Sequence, residues 1–286
     1  MSLAADRSTA SAPGAETPLL QRLLVVRRPL VMGILNVTPD SFSDGGLFFD
    51  SDRALAQARR MVADGADLLD IGAESSRPYG NATAVSAEDE MARLRPVLAP
   101  AVAMGRPVSI DSMKAKVAAF ALESGAAILN DVWGLQRDPD MARVAAEHRA
   151  PVIIMHNRET VDPAIDIMAD IRDFFGRSLD IAARAGIARE AIVLDPGIGF
   201  GKTPEQSITA IARFDSLRSF GLPLLMGLSR KRFIASIVPS DPDQRLGGSI
   251  AGNVLAALAG AAIIRVHDVA ETVQALRVTD AIRSAR

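Results

Sequence analysis

A (β/α)8 TIM barrel in a single domain is the fold class this sequence predicts, and three observations lead there. From residue 31 onward, short apolar runs alternate with longer amphipathic ones until the chain ends, as strands do when each crosses through a helix to a parallel neighbour. The strand-like runs number eight, at 31–37, 67–73, 107–112, 128–132, 151–156, 191–197, 223–229 and 263–268, and eight β-α units favour a closed barrel over an open sheet. At 286 residues the chain is long for one compact core, but normal for a barrel of about 250.

Residues 1–18 are rich in Ala, Ser and Thr and lack the apolar stretch of a secretion signal, so a disordered tail is expected over 1–20 and the barrel over 21–286. Helix-like stretches at 53–64, 86–104, 114–124, 141–148, 165–185, 204–214, 247–260 and 269–283 space their apolar residues to one face. Gly65, Gly125 and Gly186 each follow a helix and precede a strand, where C-terminal caps belong. The first strand opens into loop 36–48, with Pro39, Gly45, Gly46, Asp40 and Asp44. That is too long for a β-α connection of about 2–6 residues and suggests a mobile flap over the barrel mouth. The loop after the second strand, 73–86, is also long, and its Arg77 beside Ser75 and Ser76 suits an anion.

The stretch VLDPGIGFGK at 193–202 runs from an apolar strand into Asp195 and then a loop with three glycines. Pro196 stops the ladder, so the carboxylate sits at a C-terminal strand edge, where parallel α/β folds bind ligands. A phosphate loop would need glycine at 196, and Lys202 spoils G-x-G-x-x-G, so neither nucleotide template fits. Asn36, Asp70, Asp111, Asn130, His156, Asp195, Ser229, Arg265 and His267 all lie at or near C-terminal strand ends. That bias marks one rim as the working surface.

Composition narrows the chemistry. With 49% hydrophobic residues the core has ample material, and a net charge of −2 offers no field to draw in nucleic acid or anionic lipid, so small molecules are the expected partners. There is no cysteine, which excludes disulfides, thiolate nucleophiles and Cys-ligated zinc. The histidines, His148, His156 and His267, lack H-E-x-x-H spacing. No run has the length of a membrane span, and a cytoplasmic location is expected. The glycosylation sequons at 36–38 and 81–83 are then chance matches.

Seven segments taken in order, NVTPDSFSDGG, DIGAESSRP, SID, ILNDV, DPGIGFGK, GLSRK and RVHD, resemble the dihydropteroate synthase family. The resemblance runs from about residue 31 to the C-terminus. It implies an enzyme of folate synthesis that joins 4-aminobenzoate to 6-hydroxymethyl-7,8-dihydropterin diphosphate and releases diphosphate. A pterin edge alternates donors and acceptors, which Asp111, Asn130 and Asp195 match, with Lys231 near the ring's acceptors. Met155 and Phe200 supply its faces, and Gly227 and Arg265 complete the implied pterin site. Asn36, Ser76, Arg77, Arg265 and His267 are implied for the diphosphate, Arg265 and His267 sharing one strand face. Mg²⁺ is the implied cofactor, with Asn36 as its protein ligand. Phe42, Pro78, Phe200, Ser229 and Lys231 are implied for 4-aminobenzoate. Asp44, Lys231, Arg265 and His267 form the implied catalytic set, Asp44 offsetting the positive charge of a methylene cation.

The chain departs from the family pattern at Ala73, usually Gly, at Ser76, usually Thr, and in a longer segment 79–84. Ser76 keeps the hydroxyl an anion needs. The cluster Arg230-Lys231-Arg232 lacks the aromatic interleaving of a nucleic-acid surface and reads as a solvated helix start with Lys231 turned inward. A homodimer is expected, paired through the apolar faces of 246–262 and 269–282, and sulfonamides are the implied inhibitors. The alternatives are a pterin-dependent methyltransferase barrel, which would need a corrinoid partner, and a catalytically silent pterin-binding homologue.

Overall fold

The computed structural model describes residues 18–26, 28–38, 47–74 and 85–285, with only the helical backbone of 47–50. In chain order the elements are α1 (Leu19–Leu23), β1 (Leu30–Asn36), α2 (Leu47–Ala63), β2 (Leu68–Gly72), α3 (Ala87–Val102), β3 (Val108–Asp111), α4 (Ala115–Glu123), β4 (Ile128–Asp131), α5 (Met141–Glu147) and β5 (Val152–Met155). There follow α6 (Ile167–Ala185), β6 (Ile192–Asp195), α7 (Pro204–Ala212), β7 (Leu225–Met226), α8 (Arg232–Ile237), α9 (Leu246–Leu258), β8 (Ile263–Val266) and α10 (Val269–Ser284). All eight strands are parallel, in the order β6-β5-β4-β3-β2-β1-β8-β7. A parallel bridge from Leu194 to Leu224 brings β6 to the start of β7 and closes the barrel.

Side-chain parity sorts each strand into two environments. Leu30, Met32, Leu68, Ile128, Ile153, Val193, Leu225 and Ile263 fill the lower barrel interior, with Leu20 of α1 fully buried against them from below. Their neighbours, including Val31, Leu69, Ile71, Ile110, Leu129, Ile154, Leu194 and Ile264, face outward into a larger core shared with the helices. Higher on the inward column the residue types change to Asp70, Ser109, Asp111, Asn130, Asp195 and Arg265. The apolar floor below therefore supports a polar rim at the C-terminal strand ends, as expected for a barrel enzyme.

The helices start and stop where local chemistry directs. Ser86 caps α3, Asp166 caps α6, and Thr203 with Gln206 forms a reciprocal cap on α7 next to Pro204. Gly65, Gly125 and Gly186 take left-handed φ of 99°, 101° and 81° at their predicted caps. Three features differ from the sequence expectation. Helix α1 begins at Leu19, so Leu19 and Leu20 belong to the folded domain rather than to the tail; the Leu20 side chain is 1% exposed, and burying it under the barrel outweighs the low helix tendency of five residues. Helix α8 is additional. Strand β7 shrinks to two residues because the chain leaves the ladder at Gly227. Residues 1–17 lie outside the described residues. Among the described residues no helix is long and apolar enough to cross a membrane.

Candidate active site

At the mouth of the barrel, Arg265 organises the polar rim. Its Nε donates to Asp70 Oδ2 at 2.6 Å and its Nη2 to Asp111 Oδ2 at 2.7 Å. Asn130 Nδ2 donates to the same Asp70 oxygen at 3.1 Å. Asp111 and Asn130 face each other across the β3–β4 register, so the guanidinium ties β8 to β2 and β3 directly, and Asp70 extends the link to Asn130 on β4. Burial disfavours the Arg265 charge, but Asp70 and Asp111 outweigh it and raise its pKa above the ordinary arginine value. Asp111 is pushed up to about 7, chiefly by burial, with Arg265 opposing and Asp70 adding to the rise. Asp70 Oδ1 is buried with no hydrogen-bond partner among the described residues.

Asp195 enters from the opposite wall. Burial raises its pKa, while the Gly197 N–H, donating to Oδ1 at 2.7 Å, and the charges of Lys231 and Arg265 oppose the rise. Gly227 lies between these groups: a Cβ there would stand 3.7 Å from Asp195 Oδ2 and 3.8 Å from Arg265 Cβ. Glycine leaves that space to a ligand. Met155 and Phe200 pack with Val132, against half-buried Met113 and Trp133, into an apolar wall beside the acids.

Lys231 crosses the mouth. Its Nζ donates to Ile198 O and stands 4.1 Å above the centre of the Phe200 ring. Burial lowers its pKa to about 7; Asp195 and Asp111 oppose the fall and Arg265 assists it. The preceding residue holds it there. Arg230 has φ 59°, uncommon for a side chain of that size, and is fixed from three sides: its N–H donates to Ser249 Oγ at 2.9 Å, its guanidinium pairs with Asp268, and Arg245 donates to its carbonyl at 2.9 Å. Arg230 is therefore half-buried and paired, in contrast to the solvated helix start expected from the sequence. Ser229 Oγ is 3.1 Å from His267 Nδ1 and accepts from the His267 N–H at 3.3 Å.

The comparisons with known proteins agree with this geometry. The model of the pterin binding enzyme family matches residues 32–267. Dihydropteroate synthase of Bacillus subtilis is 43% identical over 256 residues, covering 89% of this chain and 89% of its own. That of Escherichia coli is 43% identical over 271 residues, covering 92% and 95%. The chain belongs to the dihydropteroate synthase family. Solved members superpose closely. The Clostridium difficile synthase, determined in the presence of pteroic acid, gives a TM-score of 0.85 at 46% identity, over 90% of this chain and 97% of that one. The Xanthomonas albilineans synthase with 4-aminobenzoic acid gives 0.86 at 43%, over 90% and 94%. A Yersinia pestis synthase in a sulfonamide drug complex gives 0.84 at 43%, over 90% and 95%.

Against the residues that the family resemblance implied, the structure brings Asp111, Asn130, Asp195, Gly227, Lys231 and Arg265 into one cup, with Met155 and Phe200 forming its wall. Ser229 and His267, assigned to different substrates, are hydrogen-bonded to one another at the same rim. Phe42, Asp44, Ser76, Arg77 and Pro78 lie outside the described residues, as does the whole segment 79–84. His156, grouped in the sequence with the rim residues, is turned away: it is fully buried, with Nε2 2.9 Å from Asp170 Oδ2 on α6. Met155 faces inward, so parity sends the next residue outward. Asp70 is the rim residue left without a role by the sequence motifs, although its place two residues above inward-facing Leu68 marked its direction.

Asn36, half-buried at the end of β1, offers a hard amide oxygen suited to Mg²⁺. Among the described residues no group of three or more His, Cys, Asp or Glu could hold a metal. One protein oxygen fits Mg²⁺ bound mainly through a substrate diphosphate and water.

Proposed function

We infer that this protein condenses 4-aminobenzoate with 6-hydroxymethyl-7,8-dihydropterin diphosphate to give 7,8-dihydropteroate and diphosphate. The observation that carries this reading is the convergence of Asp111, Asn130, Asp195, Lys231 and Arg265 on one cup in a chain of the synthase family. The relatives solved with pteroic acid and with 4-aminobenzoic acid support it. The methyltransferase and silent-homologue alternatives are not favoured by any observation in the cup.

The cup suggests how the parts work. Asp111 and Asp195 accept from pterin N–H groups, Asn130 supplies an amide to the same edge, and Lys231 donates to a ring acceptor. Met155 and Phe200 hold the ring faces, while Ser229, Phe200 and Lys231 border the aminobenzoate side with Phe42 and Pro78. The aromatic amine is neutral at pH 7 and needs no strong base, so departure of diphosphate is the harder event. The bond between the methylene carbon and the diphosphate oxygen breaks first, the electron pair leaving with oxygen, and the electron-rich dihydropterin delocalises the cation. The amine lone pair then forms the C–N bond and the amine proton passes to solvent. Arg265 engages Asp70 and Asp111 through Nε and Nη2, which keeps Nη1, with His267, for the departing oxygens. Asn36 would hold Mg²⁺, which when bound supplies positive charge against the diphosphate. Ser76 and Arg77 join this anion site, and Asp44 offsets the cation.

The expected product is 7,8-dihydropteroate, formed with equimolar diphosphate from the two substrates in the presence of Mg²⁺. Its absence with well-folded protein would sink the reading. The order of binding is tested by calorimetry: 4-aminobenzoate should give little heat alone and a clear signal with diphosphate and Mg²⁺ present. Sulfonamides, resembling 4-aminobenzoate in shape and charge, would compete with it. The protein would act in the cytoplasm as a homodimer paired through α9, where Leu255 and Leu258 are 61% and 52% exposed. Sedimentation of wild type and of the double variant Leu255→Glu, Leu258→Glu measures that pairing.

A further inference from the structure

Lys202 ended the glycine loop in the sequence without finding a use, and the structure encloses it almost completely. Its side chain is 2% exposed. Nζ donates to Gly197 O at 2.8 Å and Phe200 O at 3.1 Å, and lies 2.7 Å from His156 Nδ1. Burial and the nearby Lys231 charge push the Lys202 pKa well below the ordinary lysine value, with Asp195 and Asp170 opposing. But an ammonium has three donors, and these three acceptors match the charged form and leave His156 with its proton on Nε2. That proton faces Asp170 Oδ2 at 2.9 Å, and Asp170 Oδ1 accepts from Arg158 Nη1 at 2.8 Å. A continuous chain thus runs from the half-buried Asp170 to the back of the cup.

The loop this chain grips carries the cup's contacts. Gly197 donates to Asp195 Oδ1, Ile198 O accepts from Lys231, and the Phe200 ring lies under Lys231. The loop also presses onto the segment holding His156: a Cβ on Gly197 would meet His156 O at 1.9 Å, and one on Gly201 would meet Arg158 Cβ at 2.4 Å. We propose that Lys202, braced by His156 and Asp170, is a positioning residue that clamps loop 196–202 and so places Asp195, Phe200 and Lys231 for the two substrates. Lys202 touches neither substrate itself. The inference rests on the synthase reading, so wild-type turnover is the reference arm: inactive wild type fails that reading, and active wild type leaves the clamp to be judged alone.

The Lys202→Met variant removes the donors and keeps most of the volume. A misplaced wall should raise the KM for both substrates and lower kcat/KM by about 30-fold, with kcat changed less than KM. Because Lys202 acts through Asp195, the double variant Lys202→Met, Asp195→Asn should lose at least about fivefold less than the product of the single losses. Unchanged KM values, or losses that multiply, overturn the proposal. If Lys202→Met does not fold, Asp170→Asn at the open end of the chain decides the matter: both KM values should rise about three- to tenfold, and wild-type values reject the clamp.

Discussion

Asp70 Oδ2 accepts from both Arg265 and Asn130 at full burial, so one oxygen orients a cation and an amide that sit on different strands. In Asp70→Asn, rotation of the amide exposes Arg265 either to a weaker acceptor or to an N–H it cannot use. A hydrogen bond to a charged group contributes about 1.5–3 kcal/mol, and the pterin substrate's KM should therefore rise roughly 10- to 100-fold. Steady-state kinetics check this, and a wild-type KM would show that Arg265 is held by Asp111 alone. The sequence placed Asp70 on the rim because an acid after an apolar strand is easily recognised. Its role was hidden because the partners lie 60 and 195 positions away in the chain, and no local pattern pairs them. His156 failed for the opposite reason. Position along the strand marked it as a rim residue, while parity relative to Met155 turns it toward α6, where it meets Phe174 edge-on at 4.9 Å.

At the scale of elements, the alternation of apolar and amphipathic runs was enough to place all eight strands, since parallel strands buried on both faces leave a dense signal. Elements held by tertiary contact left little. Helix α1 has five residues and no side-chain cap, and α8 has six with no side-chain cap at Lys231. Each forms because the barrel supplies a surface for it. Leu20 shows what α1 contributes: it closes the lower end of the barrel, on the side away from the cup. Leu20→Ala should cost about 2–5 kcal/mol of stability through lost burial and a partly collapsed cavity. It should leave both KM values unchanged, because the rim stands on separate side chains. Urea denaturation and kinetics on the same preparation test this, and a raised KM without destabilisation would contradict the division of the barrel into floor and rim.

At the scale of the whole molecule, buried groups with opposed titration make stability depend on pH in two directions at once. His156 is lowered to about 4, chiefly by burial and then by the Lys202 charge, with Asp170 opposing. A cationic group depressed in the fold contributes stability that is complete above its unfolded value of about 6.5 and is lost as pH falls toward 4, by about 3 kcal/mol. Asp131 is raised to about 6 by burial, against hydrogen bonds from the Trp133 and Leu135 N–H groups. A raised carboxyl contributes in the other sense: its stability is present below the unfolded value near 4 and is lost as pH rises through 6, again by about 3 kcal/mol. Over pH 4–6 the two contributions offset, so the wild-type profile conceals both. Single variants separate them. The stability deficit of His156→Gln relative to wild type should shrink between pH 7.5 and 4.5, because only wild type bears the cost of charging the imidazole. The deficit of Asp131→Asn should grow over the same interval, because only wild type gains from protonation. Urea midpoints for the three proteins at the two pH values measure these changes, and deficits that stay constant would mean that neither residue titrates differently in the folded and unfolded chain.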